Sequence, residues 1–215
     1  MEMRTEARHR PVERLSRWGR HAAVVVVSLV GLLAAPAQGS LLGLTLLRSP
    51  DITSGFITVG YDAGTQVFTA SGFSLTLDGL DFDVIGSFDY SLQLDGFGGL
   101  ISGSLTITGS VGGFGPPLLT GDVTAFGFQD GGGDLFEILF TVTGGDLATP
   151  AHYGDPGAVG GVIMNANGSD FDGTFDDDFG NIGTGTSNTA PIPEPATLVL
   201  LAIAGGLVAR RRRQR

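Results

Sequence analysis

Residues 169–180 read SDFDGTFDDDFG and set five carboxylates, Asp170, Asp172, Asp176, Asp177 and Asp178, within nine positions. Hard oxygen donors at this density suit a calcium ion, which takes six to eight oxygens. The spacing departs from an EF-hand loop. Counted from Asp170, position 6 is Phe175 where that loop requires glycine, and position 12 is Asn181 where it uses glutamate. The expectation is a solvated acidic loop with at most a weak calcium site; no other cofactor is implied. DGLDFD at 78–83 raises the same question with fewer acids.

Other chemistry is sparse. Glycoside hydrolysis needs two carboxyls facing each other across a cleft, and residues 38–190 hold 18 acids with no spacing that singles out a pair. His152, in TPAHYGDPG, is the one imidazole of that region and falls in a loop rich in Pro and Gly, where an exposed loop residue is expected. There is no cysteine and no Gly-x-Ser-x-Gly elbow. The residues therefore point away from an enzyme. Asn167-Gly168-Ser169 matches a glycosylation sequon and is read as unmodified. Against 18 acids, Arg48 is the only basic residue of the region, a net charge of about −17 that repels nucleic acid and anionic surfaces.

The elements that would carry these residues read as strands. Alternation places Phe73, Leu75 and Leu77 on one face of 72–79, and Phe88, Tyr90, Leu92 and Leu94 on one face of 88–96. It aligns Leu105 with Ile107 in 103–109, and Phe136, Ile138, Phe140 and Val142 in 134–144. Successive strand side chains point to opposite faces, so each set is a half-buried strand. Weaker strands are expected at 54–61, 65–70, 119–128 and 158–165. DGFGG (95–99), QDGGGD (129–134) and TGGD (143–146) supply the turns. Many short strands with frequent turns predict an all-β fold, an antiparallel sandwich or a barrel-like single domain over 38–179. Residues 180–192, GNIGTGTSNTAPI, read as a polar linker.

Both ends are basic and apolar. Six arginines lie in the first 20 residues, followed by the uncharged run 22–35 and the small residues Ala35 and Ala37 around Pro36. This is the layout of a secretory signal peptide over 1–37, cleaved after Ala37. At the other end, 14 uncharged residues (196–209) precede Arg210, Arg211, Arg212, Arg213 and Arg215. As a helix the run would be about 21 Å long, short of the roughly 30 Å of a bilayer's hydrocarbon core. The arginines would stay cytoplasmic by the positive-inside rule. Pro193 and Pro195 hold Glu194 in an extended segment before it.

The segment 191–215, with Pro193-Glu194-Pro195, a short apolar stretch and an arginine-rich end in that order, resembles the PEP-CTERM sorting signal of Gram-negative bacteria. The resemblance implies recognition by an exosortase, transient inner-membrane anchoring, processing near the motif, and a final place at the cell surface or outside the cell, often beside exopolysaccharide. It covers about a tenth of the chain and implies nothing about the body. The resulting expectation is an exported, non-catalytic surface or extracellular matrix protein whose export partners are signal peptidase and an exosortase. Its rival is a β module that binds polysaccharide or calcium, which exposed aromatics on one sheet face would favour. The body has no Trp for sugar stacking. A secreted glycoside-active enzyme ranks below both.

Overall fold

The computed structural model describes residues 40–46, 48–78 and 82–192. The signal segment with Ala35 and Ala37, the motif Pro193-Glu194-Pro195, the apolar run and Arg210 to Arg215 lie outside the described residues. Every element within them is a strand: β1 Asp51–Asp62, β2 Val67–Asp78, β3 Phe82–Leu94, β4 Leu100–Ile107, β5 Leu119–Gln129, β6 Leu135–Gly144, β7 Val159–Asn165, β8 Phe179–Gly180 and β9 Gly185–Pro191. All pairings are antiparallel. Neighbours run β2-β3-β4-β5-β6-β7-β9-β1, and β1 pairs back with β2, so eight strands close a barrel. β8 is a short extra strand on the same edge of β1 as β9. Closure leaves no free edge in the wall.

The expected alternation holds on three strands. Phe88, Tyr90, Leu92 and Leu94 of β3, Leu105 and Ile107 of β4, and Phe136, Ile138, Phe140 and Val142 of β6 are all buried. It fails on β2, which also joins the two expected strands 65–70 and 72–79 into one. Phe68, Ala70 and Ser74 are buried, whereas Phe73 is 59% exposed and Leu75 half-buried. The inward parity set by Phe68 runs to Ser74, and the ladder to β3 slips between Ser74 and Thr76. That bulge returns Leu77 to the interior. Phe73 and Leu77 are thus on opposite sides of the wall, although their spacing alone places them together.

The stretch expected as a linker holds β9, which completes the barrel. Its buried positions include Gly185, Ser187 and Thr189. The Ser187 and Thr189 hydroxyls, with Ser54 of β1, find no hydrogen-bond partner within the described residues.

One end of the barrel is filled with aromatic rings. Phe171, Phe175 and Phe179, spaced four apart in the acidic stretch, all turn inward. Phe171 and Phe179 lie 4.8 Å apart between ring centroids, and Phe175 packs edge-on against Tyr61 at 5.0 Å and Phe128 at 4.8 Å. Phe136 meets both Phe68 (5.0 Å) and Phe171 (5.3 Å), joining this plug to the barrel interior. Asn181 fastens the far side of the plug. Its Oδ1 accepts from the Val59 amide at 2.7 Å, and its Nδ2 donates to the Asn167 carbonyl at 3.3 Å. Gly98 at φ +79 comes so close that a Cβ there would lie 2.5 Å from the Phe175 ring.

A strap crosses the outside of the wall. Residues 40–46 belong to no strand, yet Leu41, Leu42, Leu44 and Leu46 are half-buried. They lie over outward-facing positions of β5, β6 and β7. A Cβ on Gly127 would meet the Ser40 carbonyl at 2.6 Å and the Leu42 amide at 2.8 Å. Glu137, only 3% exposed, accepts at Oε2 from the Gly43 amide at 2.8 Å and the Leu44 amide at 3.4 Å. Leu44 and Ile192 both approach Gly161.

Candidate functional site

The acidic stretch is the first site that the sequence suggests, and its side chains divide by type. The phenylalanines turn in, while Asp170, Asp172, Asp176, Asp177 and Asp178 are exposed. Asp172 accepts from the Thr174 amide at 2.9 Å and its hydroxyl at 2.8 Å, and Asp178 accepts from the Ala63 amide at 2.7 Å. The Thr174 hydroxyl, then its amide, hold the Asp172 carboxyl below the ordinary aspartate range. These bonds fasten the loop to itself and to the β1–β2 turn. Among the described residues no three acidic or imidazole side chains are gathered closely enough to hold a metal ion. The barrel core is a continuous cluster of buried apolar side chains, and their burial stabilises it without a metal. A weak site at a calcium concentration equal to its dissociation constant would add only about 0.4 kcal/mol. Circular dichroism should show the same sheet signal in chelator and in millimolar calcium, with a melting temperature moved by only about 1–2 °C. A chain unfolded in chelator that folds on calcium addition would contradict this.

His152 is half-buried, not the freely exposed loop residue expected from its neighbours. Its Nδ1 lies 2.9 Å from the Thr149 hydroxyl, and its ring packs edge-on against Phe114 at 5.0 Å. Its partners are a hydroxyl and an aromatic ring, an arrangement that braces the loop. The sequon is built into the plug: Asn167 is exposed, but the Ser169 hydroxyl is buried and donates to the Asp134 carboxylate. Burial alone pushes the Tyr90 phenol well above its usual range, so inside the barrel it stays neutral, with its hydroxyl 3.5 Å from the Met164 sulfur.

The surface feature of clearest chemical character is one that alternation concealed. At the bulges of β1 and β2, beside β3, the exposed Phe56 and Phe73 with Ser74, Leu75, Val84 and Gly86 line an open cleft of about 380 Å³. Phe56 and Phe73 are 67% and 59% exposed and meet edge-to-face at 6.5 Å. A defect in the wall presents them. The β1 ladder slips between Gly55 and Thr58 against β2, and between Ser54 and Ile57 against β9. Phe56 takes φ +53 in this bulge, a conformation that costs an L-residue roughly 1–2 kcal/mol. Gly72 lets the strands close on the bulge: a Cβ there would lie 2.7 Å from Ile57 and 2.9 Å from the Gly55 carbonyl. Beside it the loop between β8 and β9, tied by the Gly183 amide to the Thr58 hydroxyl at 3.1 Å, carries the 90% exposed Ile182.

The polar side chain in the cleft is already engaged, because Ser74 donates to the Thr108 carbonyl at 2.8 Å. Apart from Ser74 and Gly86, the described lining residues are apolar and two of them are exposed aromatic rings, a surface suited to contact. The sequence marked Phe73 as buried core. The signal that could have placed it outside was Phe68, whose parity fixes the strand before the bulge. No family model, no curated protein and no solved structure matches the chain.

Proposed function

We propose that this chain is an exported, non-catalytic surface or extracellular matrix protein, trimmed at its N-terminal end by signal peptidase and at its C-terminal end by an exosortase. The observation that carries this reading is the order of parts after the barrel: Pro193-Glu194-Pro195, 14 uncharged residues, then the arginines. A short apolar stretch followed by a charge cluster kept cytoplasmic would hold the body on the outer side of the inner membrane. The barrel supports the reading by its extent. Its strands run from Asp51 to Pro191, so cuts after Ala37 and near Pro193 would remove none of them. The test is Glu194→Ala in a host that has the sorting enzyme. The variant should accumulate as a longer, membrane-bound form, and equal processing of the two proteins would contradict the proposal.

A second reading has one observation in its favour, the exposed Phe56–Phe73 pair. Aromatic faces contact the C–H faces of sugars, and a body of net charge about −17 would accept a neutral polysaccharide over an anionic one. Retardation on neutral-glycan affinity gels that Phe56→Ala and Phe73→Ala abolish would support it. Equal mobility of wild type and both variants would remove it.

A further inference from the structure

The strap occupies a trough that is built for an extended peptide. Gly127 and Gly161 leave its floor open on β5 and β7, and the buried Glu137 on β6 turns its carboxylate to two successive backbone amides of the occupant. Leucines fill the sides. The barrel wall does not depend on this occupant, because β1 to β7 and β9 close the ring without residues 40–46. We propose that the trough is a peptide-docking site whose partner is a second copy of the chain, which supplies its own residues 40–46 by exchange.

Three features favour a second copy. The docked segment in the structure is already the complementary ligand, so exchange replaces one contact with an identical one. Residues 38–48 contain no acid, and Arg48 beside the strap is the single basic residue of a body with 18 acids, so the segment approaches a neighbouring barrel with favourable charge. The strap can leave without unthreading once residues 1–37 are removed, a step that rests on the export reading above. Attachment through residues 47–50 gives the strap's own trough the advantage of high effective concentration, which a crowded matrix offsets at millimolar protein. Barrel–barrel repulsion weakens with salt, so exchange rises with ionic strength.

The absence of cysteine from the chain permits a clean test. Leu41 and Gln129 line one small cleft where the strap enters the trough. Leu41→Cys is placed in one batch of exported protein and Gln129→Cys in another, and the two are mixed under mild oxidation after intact mass has shown that residues 1–37 are gone. Retention of those residues counts against the export reading and leaves the trough itself to be judged on trimmed protein made otherwise. Covalent heterodimers should form at millimolar protein, rise with salt, and exceed several-fold those formed with Thr69→Cys, an exposed position on β2. Gly127→Ala, whose Cβ would have strap atoms as its three nearest neighbours, should nearly abolish linking while far-UV circular dichroism stays unchanged. Linking no greater than with Thr69→Cys at every concentration and salt would overturn the proposal, and so would linking that Gly127→Ala leaves intact.

Discussion

Phe136→Ala should lower the stability of the barrel by about 3–5 kcal/mol, the range for removing a buried aromatic ring. Phe136 is 1% exposed and lies where the two halves of the aromatic core meet. Its ring contacts Phe68 and Phe126 from the barrel wall and Phe171 and Phe179 from the plug. Truncation would remove the ring's own burial and leave a cavity that neither side can fill, because the strands are fixed by the closed ladder and the plug by Asn181. Domains of this size have total stabilities of about 5–15 kcal/mol. The melting temperature should fall by about 10 °C or more, and denaturant unfolding should show a lower midpoint at unchanged slope. A loss below about 1 kcal/mol would mean that the plug is not packed on the barrel.

Gly160→Ala should also destabilise, by overpacking. Gly160 of β7 faces the interior beside Phe140 of β6, and a Cβ would lie 2.2 Å from the tip of its ring. The ring cannot move toward β5, because Gly121 there is equally close, at 2.4 Å for a Cβ. Phe140 is thus clasped between two glycines on the flanking strands and is fully buried. Forcing one methyl into such a site costs about 1–3 kcal/mol. The mechanism makes a sharper statement about the pair. Phe140→Leu alone should destabilise, but Gly160→Ala in the Phe140→Leu background should cost less than about 0.5 kcal/mol, since the clashing ring tip is gone. Additive losses in that double-mutant cycle would show that Gly160 acts through backbone freedom and not through the ring.

Such residues explain what the sequence could and could not convey. The strands β3, β4 and β6 were legible because their inward positions are large and apolar over uninterrupted runs. β2 was misleading because a bulge at Leu75 changes its parity midway, and a bulge leaves no mark in a two-letter hydrophobic pattern. β9 was illegible for another reason. Its inward side chains are Ser187 and Thr189, whose hydroxyls carry no apolar signal, and its role as closing strand comes only from register with β1 and β7. The plug left a mark in the sequence, Phe171, Phe175 and Phe179 at a spacing of four, but their acidic neighbours made the stretch read as a solvated loop with at most a weak calcium site. The exposed Phe56–Phe73 cleft depends on bulges in two strands meeting at one place, which only three dimensions reveal. Glu137 is the extreme case: an acid on an outer face reads as solvated until the strap covers it.

The proposed export requires cuts at both ends that leave every strand of the barrel in place. The most direct measurement is the intact mass, with terminal peptide sequencing, of the protein recovered outside the inner membrane. The expected species begins near Gln38 and lacks residues 196–215, while retaining every strand from Asp51 to Pro191. A recovered chain that still carries Trp18, or that still ends in the arginines up to Arg215, would contradict it.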